Sequence, residues 1–442
     1  MTTSVDRRRD PSTHCDEDRR DDDRRDDDRR DGAATAAQRP RLTGVVVANV
    51  VLLTMIAPLA TDMYVPAFPL VGDDLGASAT GVQLTLTTFF VGMALGQLVG
   101  GPVSDQRGRR GPLLASLVVM VLASVVCALS PTIGVMLAAR AVQGFSGGWA
   151  MVIARSLVVD LAAGSRLVRT LNVVQGVAGV APVVGPLLGA AVLQLSHWRV
   201  SFWLLAAWSA VMLVTVALTV PESLPAAQRQ RGGLRQLRRA AGEVLRSRGF
   251  VGHLVVTASS MGVTFAYVAT SAFVLQSMNG LSPVQYSLDF ALNAVGLTVA
   301  TFAAARLAGR VPTRAVIAAG LLATAAAGVL LLVGALLSMP LWVALVGFFV
   351  LMSAQGLVGP NAGALASGAV PGHRGTGSAV LGFLQWTTAG LVAPVAGLGG
   401  DRTAVPMALI VLGLTAVSLA ALRLAAGPRQ GSAARPLQTE RE

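Results

Sequence analysis

Gly101-Pro102-Val103-Ser104-Asp105-Gln106-Arg107-Gly108-Arg109-Arg110 is a short charged stretch between two long apolar ones, at about 79–101 and 113–130. Each neighbour has roughly the 20 residues that a bilayer-spanning helix needs. The charged stretch therefore reads as a turn at a membrane surface. Gly108 permits a tight reversal there, and Asp105 and Arg109 can pair with opposite charges or with helix ends. Asp160, placed just beyond a later apolar stretch, is a natural partner for these arginines.

The same alternation extends in both directions. Apolar stretches at about 42–63, 79–101, 113–130, 133–155, 168–191, 199–220, 251–275, 284–308, 314–337, 340–364, 375–398 and 402–425 predict twelve spanning helices. Composition agrees. The 442 residues are 53% hydrophobic and 13% charged, with mean hydropathy +0.63, whereas soluble domains average about 25% charged. The first 41 residues hold 11 Arg and 12 acids, which leaves only 24 Arg and 11 acids for the following 401. So few charges cannot coat a soluble globule of that size, and the fold class is an all-α membrane protein.

Charge placement supports the count. With a cytoplasmic N-terminus, 21 arginines of the body fall in inner segments, against Arg199 and Arg402 outside and Arg140 within a helix, as the positive-inside rule requires. Both termini are then cytoplasmic. The domain reading is a disordered charged tail over 1–41, a six-helix bundle over 42–220, a basic linker over 221–248, a second bundle over 249–425 and a cytoplasmic tail over 426–442. The tail lacks the short apolar run and small-residue cleavage site of a signal peptide. In the linker, Leu234, Leu237, Val244 and Leu245 among Arg235, Arg238 and Arg239 predict an amphipathic segment on the anionic inner leaflet.

Several chemistries are excluded. The chain has no Lys, so it carries neither a Walker A phosphate site nor a Schiff base. Two Cys and four scattered His suggest no metal site, and no nucleophile–base spacing suggests an enzyme. No cofactor is expected, and a nucleic-acid partner is disfavoured because the basic segments already serve topology.

Ionisable groups at membrane depth are functional candidates by default. Asp62 lies between Pro58 and Pro66 near the outer end of the first span, among Ile56, Leu59 and Met63, and is expected to face a cavity. Arg140, one to two turns into the fourth span, requires a carboxylate, backbone carbonyls or water. Asp289 lies near the outer start of the eighth span, where solvation is the simpler expectation. The fifth span carries Pro182, Gly185, Pro186 and Gly189, whose small residues allow close helix packing. Tyr64, Gln143, Trp149, Asn293, Asn361 and Gln385 are candidate cavity contacts.

These motifs resemble those of the major facilitator superfamily. Residues 101–110 match its G-x-x-x-D-x-x-G-R-R signature, 137–144 resemble its helix 4 motif with Arg140 and Gly144 in place, and Gly185-Pro186-x-x-Gly189 is similar to its antiporter motif, with Ala190 where a Gly is usual. Ala60-Thr61-Asp62-Met63-Tyr64-x-Pro66-Ala67, together with 290–294, Pro360-Asn361 and 381–385, resembles the Bcr/CflA branch of drug:proton antiporters. The corresponding turn after the eighth span, Arg306 to Arg314, has no Asp. The resemblance covers about residues 42–425. It implies that Asp62 couples protons, that Arg140 lies beside the cavity, and that Asp105, Gly108, Arg109, Arg110 and Asp160 form a cytoplasmic gate. It also implies a monomeric inner-membrane exporter that exchanges protons for small amphipathic drugs by rocking two bundles. A proton-linked metabolite importer and a non-transporting membrane sensor are the alternatives.

Overall fold

Hydroxyl side chains start many of the helices. Thr43, Ser78, Thr132, Ser247 and Ser282 each accept a hydrogen bond from a first-turn backbone N–H. Ser282 completes a reciprocal capping box with Gln285 behind Pro283. The computed structural model describes residues 43–162, 164–226, 229, 239, 241–370, 374–400 and 402–425. The expected charged tail, the C-terminal tail, His373 and most of the linker's amphipathic portion, including Leu234, Arg235, Leu237 and Arg238, lie outside the described residues.

The helices are α1 (Gly44–Asp62), α2 (Phe68–Leu75), α3 (Ala79–Arg107), α4 (Arg110–Ala128), α5 (Ile133–Leu161), α6 (Gly164–Leu195), α7 (Arg199–Thr219), α8 (Arg248–Ala272), α9 (Pro283–Leu307), α10 (Thr313–Leu336), α11 (Leu341–Gly368), α12 (Arg374–Ala396) and α13 (Val405–Leu424). Among the described residues, eleven helical segments are long and apolar enough to cross a membrane, α1 and α2 acting as one. The twelfth is α6 (Gly164–Leu195), whose described part Gly179–Leu195 is an apolar helix. At about 1.5 Å per residue its length still exceeds a hydrocarbon core of about 30 Å. The protein is an all-α membrane protein of twelve spans in two six-helix bundles.

Helix α1 does not stop at the bilayer surface as its apolar run suggests. After Asp62 the chain makes a 3-10 turn (Val65–Ala67) and continues as α2. Pro66 and Pro69 occupy first-turn positions in these two elements, where a missing N–H costs nothing. The span is thus broken rather than ended. Nor is 101–110 a loop. Gly101–Arg107 forms the last two turns of α3, Gly108 turns the chain at φ +92°, and α4 begins at Arg110. Similarly, α5 continues to Leu161, so Asp160 lies on its last turn instead of beyond it.

Apolar side chains such as Leu122, Val211, Leu322 and Leu409 point outward, while Leu53, Phe89, Phe202, Phe348 and Val411 are buried. Lipid is as apolar as the core, so close helix contact comes from small residues and packing. Helices α3 and α5 interlock through Gly92, Gly96, Gly100, Gly144 and Gly148. A Cβ on Gly144 would lie 1.9 Å from the Phe89 carbonyl oxygen, and one on Gly96 2.0 Å from that of Phe145. Between bundles, α12 packs on α3 and α9 on α6. The end of the linker does not lie on lipid throughout: Val244 is buried against Phe250 and Leu254, while Leu245 is exposed.

Candidate functional site

A cavity of about 530 Å³ lies between the bundles, walled by α1 and α6 on one side and by α8, α9, α11 and α12 on the other. Phe265, Tyr267, Phe290 and Trp386 supply broad apolar faces, and Thr61, Asp62, Thr264 and Thr298 supply polar points. From the level of Asp62 it extends toward the Arg-rich end of the bundles, where Gly176, Phe302 and Pro360 line it. Large apolar walls with few polar groups suit a small amphipathic molecule.

Asp62 occupies the break in the first span. Pro58 withholds the N–H that the Thr54 carbonyl would use, and the residues after Asp62 leave the α-helical pattern. The carboxylate is buried, and its hydrogen bond comes from Thr61 Oγ1 at 3.0 Å. That hydroxyl lies equally close to the Pro58 carbonyl oxygen. Having one proton, it serves one acceptor at a time. No cation pairs with Asp62 among the described residues. Directly behind it runs α6. A Cβ on Gly185 would lie 2.8 Å from Asp62 Cβ, and one on Gly189 2.2 Å from the Met63 carbonyl oxygen. The glycines of the fifth-span motif thus give the broken helix its room. Pro182 lines the cavity beside them, and Pro186 is buried.

Arg140 is fully buried and does not meet Asp62. Its Nη1 donates to the Ala60 carbonyl oxygen (3.0 Å) and to Gln143 Oε1 (2.6 Å). The guanidinium carbon lies 4.3 Å from the ring centroid of Phe89, 5.3 Å from Tyr64 and 5.7 Å from Phe202. Its Nε and Nη2 have no hydrogen-bond partner among the described residues, so aromatic faces stand in for an anion. Gln143 is held in turn by Ser124. Arg140 grips the backbone two residues before the carboxylate and so positions the break.

The six candidate cavity contacts lie outside this cavity's lining. Tyr64 and Gln143 are consumed in the Arg140 nest. Trp149 packs on Gly100 and Phe145. Asn293 is buried between Tyr267 and Asp289, Asn361 bonds the Leu357 carbonyl on its own helix, and Gln385 is half-buried on α12. Gln143 and Asn293 spend their amides on helix–helix contacts, and aromatic and Thr side chains wall much of the cavity.

At the Arg-rich end Arg109 binds Asp105 (2.5 Å), Ser104 (2.7 Å) and Asp160 (3.0 Å). An acid on the last turn of α5 opposes that helix's dipole, and the guanidinium offsets it. Glu222, just after α7, caps the start of α4 by accepting the backbone N–H of Arg109 (2.8 Å) and Arg110 (3.2 Å), and Ser223 donates to Asp160 (3.0 Å). Arg110 bonds the Ala217 carbonyl. Glu222 and Ser223 carry no sequence signal of their own. Only the packing of α7 on α4 brings them there. All these partners belong to the first half or the segment after it.

At the opposite end the halves are bonded to each other. Gln276 donates to the Pro66 carbonyl (3.1 Å), Gln83 to that of Ala269 (2.9 Å) and Thr80 to that of Gly397 (2.8 Å). Phe68 packs on Phe273, and deeper in Phe90 meets Phe265 and Trp386.

A family model described as Major Facilitator Superfamily matches residues 50–394. The chain belongs to the major facilitator superfamily. Among this superfamily's proteins it is 34% identical over 369 residues to an "Uncharacterized MFS-type transporter YdgK" of Bacillus subtilis (strain 168), covering 83% of this chain and 91% of that one. It is 27% identical to a "Bicyclomycin resistance protein homolog" of Haemophilus influenzae, over 80% of this chain and 89% of that one. It is 29% identical to "Multidrug resistance protein MdtL" of Escherichia fergusonii, over 56% and 62%. A solved D-xylose-proton symporter shares the fold at TM-score 0.69 and 16% identity, covering 86% of this chain and 96% of that one. The nucleoside transporter NupG does so at TM-score 0.69 and 13% identity, over 86% and 99%. The protein is a membrane transporter of this superfamily and not an enzyme.

Proposed function

We propose that this transporter exports small amphipathic, drug-like molecules across the inner membrane in exchange for protons. The observation that carries the reading is Asp62, a buried carboxylate without a cationic partner, set in a helix break on the wall of a largely apolar cavity. A lone carboxylate in such a place is costly unless it takes up a proton. The drug-resistance names of two relatives support export, and the sugar symporter shares only the fold.

With the Arg-rich end cytoplasmic, the hydrogen bonds between the halves close the outer end, and cargo enters from inside. Its arrival beside Thr61 and Asp62 favours release of the proton inward. Opening of the outer hydrogen bonds then releases cargo and lets Asp62 take a proton from outside. The Asp105–Arg109–Asp160 cluster braces the cytoplasmic end of the first half meanwhile. An inward proton supplies about 2.3 kcal/mol per 100 mV and about 1.4 kcal/mol per pH unit. In inverted vesicles, Asp62→Asn should abolish proton-driven accumulation of ethidium or bicyclomycin while the protein remains folded. Equal accumulation by variant and wild type would remove Asp62 from the mechanism.

A further inference from the structure

Asp289 lies on the seventh position of α9, roughly 9 Å below the helix start at 1.5 Å per residue, and is only partly exposed. It is not a solvated helix-end acid. Its carboxylate accepts a hydrogen bond from Asn293 Nδ2 at 2.9 Å, and the same amide nitrogen donates to Tyr267 Oη at 3.0 Å. Asn293 and Tyr267 are fully buried, and Tyr267 is on the cavity wall one helix away. Asn293 Oδ1 is buried with no partner.

No Arg or His pairs with Asp289 among the described residues. The titratable groups around it are the hydroxyls of Tyr267 on α8 and Tyr286 on α9, with Asp62 on the cavity's opposite wall. A structural acceptor for one amide N–H needs no charge, and a neutral side chain would serve at far lower desolvation cost. A charged group kept here without a cation is explained by a proton that comes and goes.

We propose that Asp289 is a second proton-carrying acid, connected to the cavity through Asn293 and Tyr267. This inference rests on the proton-exchange reading above. Ionised, Asp289 accepts from the Asn293 amide. Protonated, it donates its O–H to Asn293 Oδ1 once the amide turns over, and Tyr267 then donates its own O–H to that oxygen. The carboxyl thus keeps a hydrogen bond to Asn293 in both states, and the flip exchanges which end of the amide lacks a partner, Oδ1 in one state and Nδ2 in the other. Asn293 and Tyr267 are positioning residues.

The test is infrared difference spectroscopy of the full chain in liposomes across a neutral-range pH jump. Exposed carboxylates, ordinarily titrating near about 4, stay silent there. The wild type should show protonated-carboxyl absorbance from two groups. Asp289→Asn should remove about half of it, Asp62→Asn the other half, and the double variant all of it. Tyr267→Phe, which keeps the ring, should shift the Asp289 band without removing it, and Asp289→Glu should restore a band. An Asp289→Asn spectrum equal to wild type would overturn the inference while leaving proton-coupled export intact. Loss of the Asp289 band with an unaltered Asp62→Asn spectrum would uphold it and instead sink the role of Asp62.

Discussion

Gly108 and Gly309 turn the chain at the same place in the two halves, after the second span of each, with φ of +92° and +83°. What surrounds them differs. Gly108 is followed by an arginine locked to two aspartates, with Glu222 capping the next helix. Gly309 is followed by Arg310, which is exposed and in no ion pair among the described residues, and the nearby Arg314 bonds a backbone carbonyl of α13. The helices leading into the turns differ likewise. In the first half Gly92, Gly96, Gly144 and Gly148 all press α3 and α5 backbone to backbone, whereas between α9 and α11 Gly356 does so against the Leu297 carbonyl and Gly296 faces the side chains of Ser353 and Phe349. The first half is built as a stiff, charge-braced unit carrying Asp62. The second has fewer such backbone contacts between its paired helices α9 and α11 and supplies the cavity's aromatic walls.

The sharpest way to break this contrast is to add one methyl group to each half. Gly144→Ala should cost about 3 kcal/mol, because a backbone carbonyl must retreat, and Gly296→Ala about 1 kcal/mol, because side chains can turn away. Thermal unfolding of the purified protein in detergent reads both, and equal losses would erase the distinction. Next comes the brace. Arg109→Ala should cost about 2 kcal/mol by leaving Asp160 without its cation, whereas Arg310→Ala should stay within about 0.5 kcal/mol. Arg140→Lys should cost about 1 kcal/mol, since an ammonium cannot span the Ala60 carbonyl, Gln143 and the Phe89 ring together. It should also weaken drug accumulation in vesicles by moving the helix break. The smallest effect is Glu222→Gln, about 0.5 kcal/mol from a weakened cap on α4.

Much of the fold was legible because membrane insertion writes itself into composition. Long apolar runs and one-sided arginines give the spans without any knowledge of contacts. The special residues of the first half, Asp62, Arg140, Gly108 and Gly185, also announce themselves, each being a charge, a proline neighbour or a glycine in an unlikely place. The break after Asp62 was legible only in part. Pro58 and Pro66 mark it, but the resumption of helix at Phe68 depends on tertiary packing against α3 and α6. The cavity walls are not legible in the sequence, because its polar residues do not mark them. In an apolar bundle they find each other first, as Gln143 finds Arg140 and Asn293 finds Tyr267. Glu222 and Ser223 are invisible in the sequence because they act across 113 and 63 residues.

On the proton exchange proposed above, the contact of Gly189 with the Met63 carbonyl would tie loading to the carboxylate. With no gap between those two backbones, α6 cannot tilt without dragging the strand of peptide that bears the acid. A molecule wedged against Pro182 therefore leans on a lever whose far arm is the carboxylate. On that proposal, any residue larger than glycine at 189 would lock the lever open, giving a protein that still swallows cargo but has lost its gearing to the proton.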